Sequence, residues 1–338
     1  MSVVIVNRNG ERFLRQCLDS LIAQTFIDYE IIVVDNGSVD ASVALLERLY
    51  RDKITLVKIN KNSGFSAGNN RGIAVARGEY IATLNTDARA DRNWLHELVM
   101  QAKSDPQIGM FGSKILLVDR PGRIDSVGVN IYPDGMSRQR GHLAPDDGRY
   151  TKVEEVLLPS ACAAMYRKTM LDEIGLFDAE FFAYCEDTDL GLRGRLAGWK
   201  AVLVPSAIVH HHYSGTAGKY SALKAYYVER NHFWLALKIM PAGMLAKVPF
   251  YSALRILAQC WDMMTFSGGT SSSKDAPVQK CGILAAVLRA YVAMAAGVPG
   301  ILKKRADIRA RQKVSDDEIR SWFRRFRLHI KELRLDRY

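Results

Sequence analysis

Cysteine is scarce and unpaired in this chain of 338 residues. Cys17, Cys162, Cys185, Cys260 and Cys281 form no Cys-x-x-Cys step and leave an odd count. That argues against a disulfide framework and for reduced thiols in a cytosolic compartment. Two phosphate-binding signatures are missing as well. The Gly- and Asn-rich stretch from Gly64 to Gly72 fits neither G-x-G-x-x-G nor G-x-x-x-x-G-K-[ST], which sets aside a dinucleotide-dependent dehydrogenase and a P-loop nucleotide hydrolase. No basic-then-apolar leader opens the chain, because a strand-like run starts at Ser2, so no signal peptide is expected. No internal repeat is evident.

What is present is enough chain for a full core, in one large domain or two. Lys and Arg total 47 against 36 Asp and Glu, a net charge of +11. The excess is uneven: from Lys303 to Tyr338 there are 13 basic and 6 acidic residues, or +7. A basic tail of this kind points to anionic partners, either lipid head groups or nucleic acid.

The first ninety residues alternate strand and helix signals. Val3-Val4-Ile5-Val6 and Ile31-Ile32-Val33-Val34 are short apolar runs of buried strands, with further strands at 55–59 and 80–84. Between them, Leu14, Cys17, Leu18, Leu21 and Ile22 recur at helical spacing, and 42–50 and 65–76 also read as helices. Strands separated by helices of this length predict a mostly parallel, doubly wound sheet. Each apolar strand ends in a polar group: Asn7-Arg8-Asn9, Asp35-Asn36, Asn60, and Asn85-Thr86-Asp87. Singly, these are ordinary turn residues; jointly they mark the carboxyl rim of the sheet, where open α/β folds bind ligands.

From about residue 100 to 149 the pattern loosens into Gly-, Asp- and Pro-rich turns around short strands such as 115–118, and 153–166 is mostly apolar. Glu186-Asp187-Thr188-Asp189 then packs three carboxylates into four positions, between Phe181-Phe182-Ala183-Tyr184 and Leu190-Gly191-Leu192. Buried carboxylates are costly unless a cation, a hydrogen bond or proton transfer holds them there. The plainer reading is an acidic helix N-terminus that complements the macrodipole. After another strand-like run, 201–205, come His210-His211-His212. Hard carboxylate oxygens suit Mg²⁺ or Mn²⁺ bridging to substrate phosphates, and a histidine completes such a site.

Beyond Leu223 the character turns helical, giving an expected division into residues 1–222 and a mainly helical 223–338. Residues 235–264 are apolar but carry Lys238, Lys247 and Arg255; 268–275 form a Ser/Gly-rich linker; 281–302 hold one charge, Arg289. The latter is about long enough to span a bilayer, but Arg289 and the Gly297-Val298-Pro299-Gly300 step break it up, so in-plane or core-packed helices are expected. Ser315 to Glu318 is a capping box opening a helix with Ile319, Trp322, Phe323, Phe326, Ile330 and Leu333 on one face.

Taken together these stretches resemble glycosyltransferase family 2, of GT-A fold, and within it the rhamnosyltransferase-like branch. The resemblance is carried by Val3 to Gly10, Ile32 to Ser38, Asn62 to Asn70, Leu84 to Asp87, Gly175 to Asp178, Phe181 to Leu190 and Ser214-Gly215-Thr216-Ala217-Gly218-Lys219. It implies an inverting, metal-dependent transfer from a nucleotide-diphosphate sugar, with deoxythymidine-diphosphate rhamnose favoured, to a hydroxyl of a glycan or lipid-linked acceptor. On that resemblance Asp35 meets the nucleotide base, and Asn7 and Arg8 line its pocket. Val6, Gly64, Phe65, Asn69, Asn70, Asn85 and Thr86 complete the donor site. Asp87 binds Mg²⁺ or Mn²⁺ with the diphosphate, and His211 is the histidine of that metal site. Asp187 is the catalytic base and Glu186 orients the acceptor or the base, while Asp189 caps the helix or pairs with Arg193 or Arg195.

Two positions depart from the family pattern. Asn85 replaces the first acid of the DxD-type motif, and Ala161 replaces the Gly usual before the acceptor loop. Asp91 is read as capping the helix at Trp94. Two other classes fit the residues less well. A nucleotidyltransferase would carry a more basic Gly-rich loop after the first strand than Asn7 to Glu11 supplies. A non-catalytic nucleic-acid binder would use Arg320, Arg324, Arg325, Arg327, Lys331 and Arg334 beside Trp322 and Phe326, although no nucleic acid is expected as a partner. The expected location is the cytoplasmic side, peripheral at an anionic inner membrane face.

Overall fold

The structure is a computed structural model and describes residues 1–212, 222–265 and 276–333. The resembling run at 214–219, the linker at 268–275 and Arg334 lie outside the described residues. In chain order the elements are β1 (Ser2–Asn7), α1 (Glu11–Ile22), β2 (Glu30–Asn36), α2 (Ser42–Leu49), β3 (Thr55–Ile59), α3 (Gly64–Val75), β4 (Tyr80–Leu84), β5 (Ala88–Ala90), α4 (Trp94–Ser104), β6 (Ile108–Leu117), β7 (Ile124–Ser126), β8 (Val129–Ile131), β9 (Ser137–Gln139), β10 (Glu154–Glu155), β11 (Ala163–Arg167), α5 (Lys168–Ile174), α6 (Glu186–Leu196), β12 (Lys200–His211), α7 (Ala222–Ile239), α8 (Ala242–Leu245), α9 (Val248–Thr265), α10 (Ala276–Ala310) and α11 (Asp316–Arg325).

One sheet runs β10-β12-β6-β11-β4-β1-β2-β3, with β5 on β12 and β7 on β6. β1 pairs in parallel with β2 and β4, β2 with β3, and β6 with β12. β11 is antiparallel to both β4 and β6. Period-two alternation sorts β1 between two cores. Val3 and Ile5 join Leu14, Leu18 and Trp94 on the side of α1 and α4, while Val4 joins Ile73, Met170 and Leu190 on the other. Because both faces are covered, the strands read as unbroken apolar runs. β6 differs from the short strand expected near 115–118: it spans ten residues. Gly109, Gly112, Ser113 and Lys114 interrupt its apolar run, yet Ser113 accepts a hydrogen bond from Trp94 Nε1 at 2.7 Å and Lys114 Nζ meets Asp146 at 3.0 Å.

Two compact units result: Met1–Val129 with Gln139–Gly218, and Asn130–Arg138 with Lys219–Tyr338. The segment 130–138 therefore counts with the helices. Inside the second unit, Ile131 N–H donates to Phe326 O at 3.1 Å and Leu328 N–H to Ile131 O at 2.9 Å. The fully buried Arg255 donates through Nε to Asp134 at 2.8 Å and through its two terminal nitrogens to Glu229 at 2.7 and 3.0 Å. Its Nη2 also lies 3.2 Å from His232 Nε2.

Three helical expectations change. The run 235–264 is not one helix: α7 ends at Ile239 and α9 begins at Val248, because Pro241 has no N–H to continue the ladder. α10 instead runs straight through Pro299. Gly297 brings the α10 backbone against Trp234 of α7, where a Cβ would sit 2.3 Å from the indole, and Trp234 Nε1 donates to Met294 O at 3.1 Å. Packing there holds the helix together despite the missing hydrogen bond. The capping box forms as read, with Glu318 N–H donating to Ser315 Oγ at 3.1 Å, but the helix it opens ends at Arg325, and Ile330 and Leu333 lie in a separate 3-10 turn. However, Trp322 and Phe326 are only 5% and 7% exposed. Rings packed inside the fold are not available for base stacking, which removes the attraction of the nucleic-acid reading.

Candidate active site

The ends of β1, β2 and β4 build one rim. Asn7 Nδ2 donates to Asp35 Oδ1 at 3.2 Å and to Ser38 Oγ at 3.1 Å, and Ser38 N–H donates to Asp35 Oδ2 at 3.2 Å. Arg8 is exposed beside them. Val6 O accepts from Thr86 Oγ1 at 3.1 Å, which ties the end of β1 to the turn after β4. Asn36 pins the entry to α3: its Nδ2 donates to Gly64 O at 3.0 Å, and its Oδ1 accepts from Ser63 N–H at 2.9 Å. Gly64 has φ +87°, and a Cβ there would lie 2.5 Å from Phe182 O; only glycine meets both conditions. Phe65 lies edge-on to Phe177. Asn69 Nδ2 donates to Phe65 O within α3, and Asn70 clamps the Phe177 backbone at 2.8 and 3.1 Å.

The acid at the end of β4 is buried. Asp87 is 4% exposed, and its Oδ1 lies 3.3 Å from His211 Nε2 at the end of β12. His211 Nδ1 in turn lies 2.7 Å from Asp125 Oδ2. Burial opposes a charged His211 ring, but Cys162, Asp125 and Asp87 around it outweigh this and raise its pKa well above the ordinary value. Burial likewise pushes the Asp125 carboxyl up, and hydrogen bonds from His142 and His211 overcome it, leaving it at about 2. The neighbouring histidines turn elsewhere: His210 Nε2 meets Asp91 at 3.2 Å, and His212 Nδ1 meets Asp119 at 3.3 Å. Asp91 therefore does not cap α4 through its side chain; its backbone carbonyl accepts from Trp94 N–H at 3.0 Å.

The acidic cluster opens α6, as an N-terminal turn should, but the approach to it is strained. Phe182, Tyr184 and Cys185 have φ of +64°, +69° and +66°, a region costly for side chains bearing a Cβ and concentrated at functional sites. Asp187 Oδ2 accepts from Ala161 N–H at 3.3 Å, and Oδ1 from Thr188 N–H at 2.7 Å. Burial raises the Asp187 pKa while those hydrogen bonds restrain it. Glu186 is pushed up to about 8 by burial first and by the Asp187 charge second, and its Oε2 has no hydrogen-bond partner. Asp189 faces away and pairs with Arg193 Nε at 2.8 Å, whereas Arg195 pairs with Glu155 at 2.6 Å.

The two acidic sites converge through Ala161 and Cys162, the two residues before β11. Ala161 holds Asp187, and its carbonyl accepts from Thr83 Oγ1 on β4 at 2.8 Å. The next residue, Cys162, accepts from Asn85 N–H at 2.8 Å through its carbonyl, and its thiol sits among His211, Asp125 and Asp87. Ser66 N–H donates to Phe182 O at 3.2 Å, which brings α3 to the same place. Asn36, Asp125 and His142 are the members that the sequence reading left without a role. Asn36 lies within the Ile32 to Ser38 run, whereas Asp125 and His142 carry no spacing signal.

The model of glycosyl transferase family 2 matches residues 2–175, and the chain belongs to that family. An N-acetylglucosaminyl-diphospho-decaprenol L-rhamnosyltransferase of Mycobacterium tuberculosis is 29% identical over 65% of this chain and 78% of its own length. An O-antigen biosynthesis protein of Myxococcus xanthus is 27% identical over 64% of this chain and 17% of its own length. The chain spans a quarter or less of the length of two of its curated relatives. Among solved structures, GalNAc-T7 with UDP, GalNAc and Mn²⁺ superposes with a TM-score of 0.58 at 17% identity, covering 82% of this chain and 53% of that one. At that identity the likeness shows the fold, which is GT-A.

The Asp87–His211 pair fits a hard divalent cation. Ligands about 2.1 Å from an octahedral ion lie ~3.0 Å apart when adjacent, close to the 3.3 Å between Asp87 Oδ1 and His211 Nε2. No group of three or more His, Cys, Asp or Glu suited to a metal is found among the described residues. Two protein ligands, with phosphate and water supplying the rest, is the usual arrangement for Mg²⁺.

Proposed function

We propose that this glycosyltransferase inverts the anomeric centre of a sugar, rhamnose on a deoxythymidine diphosphate being favoured, and passes it to a hydroxyl of a glycan or lipid-linked acceptor in polysaccharide assembly. The observation that carries this reading is the placement of Asp187, which accepts from Ala161 one residue before the Cys162 that lies against Asp87 and His211. The mycobacterial relative's name supports the choice of sugar and acceptor class.

Asp35, Asn7 and Arg8 take the nucleotide base end of the donor, and the α3 entry at Gly64 and Phe65 closes over it. Asp87 and His211 would hold Mg²⁺ or Mn²⁺, which offsets charge on the leaving diphosphate. Asp187 accepts the proton of the acceptor hydroxyl as that oxygen bonds to the anomeric carbon and the carbon–oxygen bond to diphosphate breaks. Burial that raises the Asp187 pKa strengthens it as a base, and general-base assistance is worth roughly 10²–10⁴ in rate. Protonated Glu186 leaves the neighbouring Asp187 as the charged member.

Asp187→Asn should lower transfer by at least that factor while donor binding, read by calorimetry, stays within about threefold. Release of nucleotide diphosphate from a panel of nucleotide sugars with Mg²⁺ or Mn²⁺ identifies the donor. Wild-type turnover in the variant would remove Asp187 from the base role.

The proposed setting is the cytoplasmic membrane face. Among the described residues, one helical stretch, Ala285–Ala310, is long and apolar enough to cross a bilayer, and only 17% of its apolar window is buried. Leu288 and Val292 are 60% and 74% exposed, and Lys303, Lys304 and Arg305 follow them on the same helix. An apolar surface ending in cations suits in-plane binding to anionic lipid.

A further inference from the structure

Asp125 reaches the rim because β7 and β12 both lie along β6: Ser126 pairs with Ile115, and His211 with Leu117. Its carboxylate is 3% exposed, and both oxygens are engaged. Oδ2 lies 2.7 Å from His211 Nδ1, and Oδ1 lies 3.1 Å from His142 Nδ1. An ionised carboxylate only accepts, so each Nδ1 carries a proton and donates. The ring of His211 is thereby fixed in rotation, with Nε2 turned to Asp87 Oδ1 at 3.3 Å, and a cation bound there would leave the ring's proton on Nδ1. Without such a partner, an imidazole could flip its ring or move its proton to Nε2, and either change withdraws the lone pair from the Asp87 side.

We propose that Asp125 is a positioning residue for the cation seat. It holds His211 as the Nδ1–H tautomer, so that His211 Nε2 and Asp87 Oδ1 face one ion, and His142 steadies Asp125 in turn. The inference rests on the reading of Asp87 and His211 as cation ligands and adds the residues that orient them. A carboxylate behind a ligating imidazole also raises its basicity, and losing such a partner typically costs 10–100-fold in metal affinity. A buried carboxylate between two histidines could instead serve the fold alone, so the test must read metal binding rather than stability.

The experiment is a Mn²⁺ titration of the full chain, followed by electron paramagnetic resonance, with deoxythymidine diphosphate or uridine diphosphate present. Asp125→Asn should weaken Mn²⁺ binding 10–100-fold, with nucleotide affinity in chelator unchanged. Combined with His211→Ala, it should add no further loss, since the two residues act as one unit. With Mg²⁺ and the nucleotide bound, imidazole ¹⁵N spectra should show His211 protonated at Nδ1 alone in the wild type and mixed tautomers in the variant. If Asp125→Asn fails to fold, Asp125→Glu keeps the charge while displacing the carboxylate, and the same loss is expected. Wild-type Mn²⁺ affinity in a folded Asp125 variant, or a full additional loss on top of His211→Ala, overturns the positioning role alone. A wild-type protein that takes up no Mn²⁺ with either nucleotide overturns the cation reading and this inference with it.

Discussion

Glu186 and Asp187 share one helical turn but not one electrostatic fate. Asp187 is held by two backbone donors and a hydroxyl, while Glu186 has a buried oxygen with no partner. Because the folded-state pKa of Glu186 is raised from 4.5 to about 8, the native protein keeps a proton that the unfolded chain releases above 4.5. Stability therefore falls as pH rises between those values. Glu186→Gln should be more stable than wild type at pH 8–9 and indistinguishable from it below about pH 4.5, as read from urea midpoints. A constant difference across that range would contradict the assignment of the proton. At this scale the sequence was informative where a motif ran through adjacent residues, as at Asp35-Asn36 or Glu186-Asp187. It was silent on Asp125, which becomes functional only through partners at His142 and His211, brought in by strand pairing.

At the scale of elements, β1, β2 and β4 were readable because parallel strands covered on both faces need apolar residues at nearly every position. β6 was not, because it buries glycines, a serine and a paired lysine, which look like turn chemistry. α10 was misjudged for a related reason: Pro299 and its glycines read as a break, and only Trp234 against Gly297 explains the continuous helix. The Arg255 ion network is the corresponding test in the helical unit. Arg255→Ala leaves a buried Asp134 and a half-buried Glu229 without their cation and should destabilise by about 3–5 kcal/mol. Denaturant unfolding measures this, and a change under about 1 kcal/mol would mean that water reaches the cluster.

For the whole molecule, the charge of +11 and the tail's +7 matter where they meet an exposed apolar helix. Flotation with liposomes should show binding to vesicles containing phosphatidylglycerol and much less to neutral ones. Raising salt from 0.1 to 1 M shortens the screening length from about 10 to about 3 Å and should weaken it. Leu288→Glu with Val292→Glu should abolish flotation, and unchanged flotation would place the binding surface elsewhere.

The segment 130–138 has a consequence for dissecting the enzyme. The polypeptide passes between its two units at 129/130, 138/139 and 218/219, so they are interleaved rather than strung in series. Ending the chain after residue 218 would discard Arg255 and Ser252 but keep Asp134, leaving a buried carboxylate without its cation. Grafting the helices onto a related transferase therefore requires the nine-residue excursion 130–138 to travel with them, and chimeras joined at a single seam should be insoluble.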